Sequence, residues 1–232
     1  MRRICRRALP VLAVLFLTAM PAAAYDAGTD GPQWSDTFTS RLQALALLQT
    51  LNADLLSNAS ATLTLDRWCG AHDMATPPTI VADRVRGQDK VATPEVRALL
   101  KVGADEAVNY RRVRLRCGTL VLSEADNWYV PSRLTAEMNQ QLETTDIAFG
   151  RAVKPLNFTR VTLSATLLWR PLPQGWEMAA TPLPPDGSTA LAVPPFVLEH
   201  RAVLNLPDGT AFSALVESYT RNVLAFHARA SR

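Results

Sequence analysis

The spacing of apolar positions divides the chain into stretches of different period. From Ser35 to Ser57 the residues Phe38, Leu42, Leu45, Leu48, Leu51 and Leu55 recur at steps of three and four, which predicts an amphipathic helix. The period then changes. Ala61 to Asp66 alternates apolar and polar residues and reads as a strand, and Thr79 to Val85 reads as a second one. Pro94 suits the first position of a short helical turn. Arg111 to Cys117 alternates most cleanly: Arg112, Arg114 and Arg116 fall on one face, and Val113, Leu115 and Cys117 on the other. Gly118-Thr119 turns the chain into Leu120–Leu122, completing a hairpin.

Good helix formers from Thr135 to Glu143 predict a short helix, and Gly150 closes a turn after Ile147-Ala-Phe149. A long alternating strand follows from Thr159 to Trp169, with Val161, Leu163, Ala165, Leu167 and Trp169 sharing a face. The segment 171–195 carries Pro171, Pro173, Pro182, Pro184, Pro185, Pro194 and Pro195 and reads as a loop or insertion. Finally, Leu198–Leu206 and Ala211–Thr220 flank Pro207-Asp-Gly209, where Pro presets φ and Gly supplies a positive φ, so a hairpin is expected. Strands joined by tight turns and interspersed with helices imply an α+β domain whose antiparallel sheet carries helices on one side.

The first 24 residues stand apart. A basic run (Met1 to Arg7), an apolar stretch (Ala8 to Met20) and the small-residue site Ala22-Ala23-Ala24 form a secretory signal peptide, with cleavage expected after Ala24 and the bacterial periplasm as destination. The apolar core is shorter than the roughly 20 residues of a transmembrane helix. Residues 25–34 then form a flexible mature N-terminus, and 35–232 the single domain. Removal of the leader changes the charge: of 24 basic residues, four (Arg2, Arg3, Arg6 and Arg7) leave with it, so 20 face 21 acidic ones. That balance gives no support for nucleic acid or a membrane surface as partner.

With Cys5 removed, Cys69 and Cys117 remain, an even pair that invites a disulfide in an oxidising compartment; two small buried apolar residues are the alternative. His72, His200 and His227 share no metal-ligand spacing, so neither a metal nor a cofactor is expected. No Gly-x-Ser-x-Gly elbow and no glycine-rich phosphate loop occurs. Two features carry candidate chemistry. The face of Arg112, Arg114 and Arg116 is either a solvated sheet surface or a carboxylate clamp, since a guanidinium matches a carboxylate bidentately. Glu217, alternating with Leu215 and Tyr219, is either wet at an edge or a buried hydrogen-bonding or acid/base group.

With these residues located, the chain resembles the chorismate pyruvate-lyase family. Tyr110-Arg-Arg-Val-Arg-Leu-Arg-Cys117 is similar to that family's arginine-bearing strand, and Asn127-Trp-Tyr-Val-Pro131 to its segment ending in Val-Pro. Ile147-Ala-Phe-Gly150 is similar to its Pro-Leu-Gly turn, and His200 to Gly209 with Leu215-Val-Glu217 to its closing strand pair. The resemblance implies a six-stranded antiparallel sheet around a ligand cavity, a monomer, and elimination of pyruvate from chorismate to give 4-hydroxybenzoate. Arg112 would hold the ring carboxylate, Glu217 would meet the oxygen at the opposite end, and the backbone at Phe149 and Gly150 would add a hydrogen bond. A second arginine of the family would fall at Asn127, next to the bulky Trp128, with Arg133 or Arg114 as possible substitutes. If none acts, the same cavity would be a non-catalytic periplasmic binding site for a small aromatic carboxylate.

Overall fold

A computed structural model describes residues 34–187 and 189–226. The signal peptide expected at 1–24, and the stretch 25–34 apart from Trp34, lie outside the described residues. The element order is α1 (Phe38–Leu56), α2 (Ala61–Ala71), β1 (Ile80–Val85), α3 (Pro94–Leu100), β2 (Asn109–Cys117), β3 (Leu120–Tyr129), α4 (Ala136–Thr144), α5 (Phe149–Ala152), β4 (Thr159–Leu167), β5 (Phe196–Asn205) and β6 (Ala211–Thr220). The strands form one six-stranded sheet in the order β1-β2-β3-β6-β5-β4, every neighbouring pair antiparallel. The α+β class and the six-stranded antiparallel sheet are as expected from the sequence, but the helices are not confined to one side, since α3 packs on the face opposite α1 and α2.

Helix α1 starts where Thr37 caps it through the Ser40 N–H, and it buries Ala44, Leu48, Leu51 and Leu55 against the sheet. Residues 61–66 form no strand. Ser60 caps a helix at the Leu63 N–H, and α2 runs on to Ala71 with Ala61, Leu65, Trp68 and Cys69 buried. Six alternating residues were too short a window: extended to Cys69, the apolar positions fall at helical steps, and local period outweighs the strand preference of threonine. Gly150 likewise sits inside the short helix α5 and does not close a turn.

The long apolar face of β4 is split. Val161 pairs with Val203, but the register shifts between Thr162 and Ser164, so that Ala165 pairs with His200 on the opposite face of the sheet. A bulge inserts one residue and reverses the facing of everything beyond it. Val161 and Leu163 consequently lie exposed, while Leu167 and Trp169 pack on the core.

The face of the sheet covered by α1 and α2 holds the main core, with Leu48, Leu51, Leu65, Trp68, Val113, Leu115 and Tyr219. Helix α3 lies on the other face, where Leu100 packs with Trp128, Val203 and Ala214. The bulk of Trp128, unexpected from the resemblance, fills this second, smaller core. The proline-rich segment is a strap on the start of α1. The buried Arg41 donates to Asp36 and to the carbonyls of Pro184 and Pro185, Asp186 accepts from the Phe38 N–H, and Ser35 bridges to Ala190.

Cys69 of α2 and Cys117 at the end of β2 are joined in a disulfide, with Cα atoms 6.0 Å apart and a sequence separation of 48. The bond ties the helical layer to the sheet across a long loop. Its loss in a Cys69→Ala/Cys117→Ala variant is expected to lower unfolding free energy by ~2–5 kcal/mol, the usual range for a native bridge in a small domain. Urea unfolding of the variant beside the parent protein measures this; an unchanged midpoint would show the bridge to be energetically idle.

Candidate functional site

Side-chain parity on β2 decides where the site lies. Val113, Leu115 and Cys117 face the main core, and Arg111 shares their parity. Arg112, Arg114 and Arg116 point to the other face. There Arg112 pairs with Glu124 at 2.6 Å and with Asp126 at 3.5 Å, Arg114 pairs with Glu124 at 3.1 Å, and Arg116 pairs with Asp83. Of the two readings of the arginine face, the structure selects the solvated surface. Arg112, expected to hold a carboxylate in the cavity, therefore does not reach it; the arginine of β2 that lines the cavity is Arg111. The sign was present in the sequence: a lone arginine on the apolar side of a strand is the anomaly, whereas three on the polar side are ordinary.

Arg111 lines a partly open cavity together with Asn127, Phe149, Gly150, Arg160 and Glu217, and Val113, Leu115, Ala125, Leu204 and Leu215 form its apolar wall. Its volume is about 50 Å³, room for a few water molecules at ~10–15 Å³ each. The register places the polar groups. Arg111 pairs with Asn127 and Asn127 with Leu215, while Val113, Ala125 and Glu217 form the adjacent inward row. Glu217 thus stands two strands and one inward row from Arg111, about 12 Å between Cα atoms from standard strand spacings.

Arg111 is 2% exposed, and among the described residues no carboxylate is hydrogen-bonded or salt-bridged to it. It donates to the carbonyl of Leu142, to that of Ile147 at 2.7 Å and to that of Thr145 at 3.5 Å, and its buried Nε–H has no partner. The carbonyls at the end of α4 solvate the cation without neutralising it. Burial pushes the Arg111 pKa down to about 10, and Arg84 pushes in the same direction, so the group stays charged at neutral pH.

Arg160, from β4, donates to Glu217 at 2.7 Å, and Tyr219 donates to the same carboxylate oxygen at 3.1 Å. Burial works against the charge of Arg160, but Glu217 more than offsets it, so the pKa moves upward. Burial and the Glu217 charge both raise the Tyr219 pKa. Sequence reasoning missed Arg160, because a single arginine at the start of a strand with an apolar stripe carries no distinguishing pattern. The two arginines proposed as substitutes at Asn127 are engaged elsewhere: Arg133 donates to the Leu100 and Ala211 carbonyls, and Arg114 is on the outer face. Asn127 accepts from Ser213 at 2.6 Å through Oδ1, which leaves its NH2 as the half open to a ligand. Phe149 contributes its ring, packed on Tyr129 and Phe212.

Two cations and one carboxylate line the cavity, giving it a net charge of +1. Behind it lies His200, fully buried, with Nε2 2.8 Å from Asn52 Oδ1 and Nδ1 unpartnered. Burial pushes its pKa down to about 4; Arg160 adds to this and Glu217 opposes it. The unfolded chain takes up this proton near the ordinary value of 6.5, whereas the folded chain resists it until about pH 4, so stability falls as pH drops between those values. Urea midpoints at pH 7, 5.5 and 4 are expected to decline, and less steeply in His200→Gln. Equal slopes would remove His200 as a cause. Among the described residues, no group of three or more His, Cys, Asp or Glu could hold a metal ion, and no helix is long and apolar enough to cross a membrane.

Fold and cavity together define an α+β protein with a small, net-positive cavity on the core face of an antiparallel sheet. The chain belongs to the family of "Uncharacterized protein y4mC" of Sinorhizobium fredii, with which it is 65% identical over 197 residues, 84% of this chain and 83% of that one. No family model matches the chain. Among solved structures it is similar to PhnF from Mycobacterium smegmatis (TM-score 0.46, 13% identity, 87% of this chain and 95% of that one). It is also similar to the effector domain of the same protein (TM-score 0.42, 14% identity, 67% and 90%) and to the effector binding domain of the Bacillus subtilis trehalose repressor TreR (TM-score 0.37, 10% identity, 66% and 98%).

Proposed function

We propose that this protein binds a small cyclic or aromatic carboxylate in its cavity, with Arg111 holding the carboxylate and Glu217 accepting a hydrogen bond from a hydroxyl further along the ring. One observation carries the reading: Arg111 is a buried cation hydrogen-bonded to carbonyls and to no carboxylate among the described residues, with an unused Nε–H. A buried charge without a counter-ion is unfavourable. A carboxylate ligand supplies the missing charge and the missing acceptor together, in the bidentate geometry that guanidinium favours. The signal-like sequence at the N-terminus supports the bacterial periplasm as the compartment of that binding.

A second reading, elimination of pyruvate from chorismate, is favoured by the same cavity holding an arginine and Glu217, the two groups that the resemblance requires. In that reaction the C3–O bond of chorismate breaks, the ring loses a proton, and enolpyruvate takes up a proton to become pyruvate. A Glu217 engaged by both Arg160 and Tyr219 is better arranged to accept a hydrogen bond than to donate a proton, and Asn127 brings no cation to the leaving carboxylate. Binding therefore ranks ahead of catalysis.

The test is to titrate the protein with 4-hydroxybenzoate while following thermal unfolding, and to incubate it with chorismate in parallel. Binding raises the midpoint with ligand concentration, by the equivalent of ~2.7 kcal/mol at one hundred times Kd. Stabilisation with intact chorismate supports the binding reading, and release of pyruvate the lyase reading. Absence of both would overturn the assignment of the cavity.

A further inference from the structure

Asn127 stands on β3, the strand between the one that carries Arg111 and the one that carries Glu217. It pairs with Arg111 on one side and with Leu215 on the other, so Glu217 lies on its diagonal, about 7–8 Å away between Cα atoms. Asn127 is 5% exposed, and the wholly buried Ser213 donates to its Oδ1 at 2.6 Å. On β6, Ser213 and Glu217 flank Leu215 from opposite sides, so the amide oxygen is drawn away from Glu217. The Nδ2 of the same planar amide is turned the other way, into the cavity and toward the row of Glu217, and no hydrogen bond among the described residues uses it. A buried N–H without an acceptor is unfavourable. Arg160 and Tyr219, by contrast, both spend their donors on Glu217.

We infer that Asn127 is the specificity-determining residue of the cavity and that Ser213 positions its amide: the preferred ligand is a monoanionic ring acid that carries, beside the hydroxyl bound by Glu217, a neutral oxygen able to accept a hydrogen bond. The inference rests on the proposed reading of Arg111 and Glu217 as the two ends of the site. The long Arg111 side chain carries its guanidinium to the carbonyls at and beyond the end of α4, whereas the short Asn127 side chain ends close to the sheet. The amide therefore meets the flank of the ring on the side of Glu217 and leaves the carboxylate to Arg111. A neutral donor there suits the oxygen of a hydroxyl or an ether. A second carboxylate would lie near Glu217 with no cation of its own, because Arg160 is already paired. An aliphatic substituent would leave the amide unsatisfied.

Calorimetric titration of the full-length protein compares 4-hydroxybenzoate with 3,4-dihydroxybenzoate, which adds the acceptor, and with 4-hydroxy-3-methylbenzoate, which fills the same place without one. The dihydroxy acid is expected to bind about fivefold more tightly than 4-hydroxybenzoate, the effect of one neutral hydrogen bond, and the methyl acid to gain nothing. In Ser213→Ala the amide is free to turn, and the advantage should shrink to about twofold or less. In Asn127→Leu/Ser213→Ala, which removes both partners of the buried bond so that neither is left unpaired, it should vanish. A merely structural role would lower all three affinities alike and leave their ratios unmoved. An advantage undiminished in Ser213→Ala removes Ser213 as the positioning residue. If 4-hydroxybenzoate binds and the dihydroxy acid has no advantage, shares it with the methyl acid, or keeps it in the double variant, Asn127 does not set specificity. If none of the three acids binds, the reading of the cavity itself fails, and this inference fails with it.

Discussion

Arg111→Leu is expected to abolish binding of 4-hydroxybenzoate, weakening it by about two orders of magnitude or more, while Arg112→Ala leaves binding unchanged. Truncating one partner of a buried, hydrogen-bonded charge pair costs ~2–5 kcal/mol, and Arg111 is buried where Arg112 is tied to Glu124 on the opposite face. Leucine also leaves the carbonyls of Leu142, Thr145 and Ile147 without their donors, so some loss of stability accompanies the loss of binding. Arg111→Lys separates the two effects. It keeps the charge but not the planar fork, and should bind with intermediate affinity. Calorimetric titration of the three variants decides: equal affinities for Arg111→Leu and the parent protein would remove the central residue of the site.

The second large effect concerns the stability of the cavity wall. In Glu217→Ala the Arg160 side chain, only 4% exposed, is left as a buried cation with no counter-ion, and the Tyr219 hydroxyl loses its acceptor. Breaking such a pair from one side costs ~3–5 kcal/mol, which for a domain of this size corresponds to a fall in Tm on the order of 10 °C. Removing both charges in Arg160→Met/Glu217→Leu should restore much of the loss, because an apolar pair of similar volume carries no desolvation penalty. Thermal unfolding of the single and double variants checks this. A double variant no more stable than Glu217→Ala would show that the ion pair is not the origin of the effect.

Placement of Arg111 and Arg160 shows how the site divides between chain and fold. The alternation from Arg111 to Cys117 identified β2 and its two faces correctly. Choosing the ligand-bearing face required knowing which side the helices cover, and the resemblance, carried by a run of four arginines at alternating and adjacent positions, pointed one residue too far. In a strand a shift of one residue moves a side chain through the sheet. Glu217 escaped that error because its inward neighbours Leu215 and Tyr219 left its parity unambiguous. Arg160 reaches Glu217 from 57 positions earlier in the chain, across β5, and no local pattern records a contact at that separation.

The order of most elements, the antiparallel connections, the β5–β6 hairpin at Gly209 and the second half of the apolar stripe of α1, from Leu48 to Leu55, are local matters of period and turn chemistry and are readable from the sequence, whereas Leu42 of that stripe lies exposed and Ala44 is buried. Only folding could settle four others. Residues 61–66 became helical because burial favoured the longer period through Cys69, and the stripe of β4 was divided by one bulge. The proline-rich segment became a strap because Arg41 and Asp36 hold it to α1. The cavity acquired its charge from side chains on β2, β4 and β6. Period and turn signals act over a few residues, whereas enclosure and charge balance are sums over distant strands that exist only once the sheet has closed.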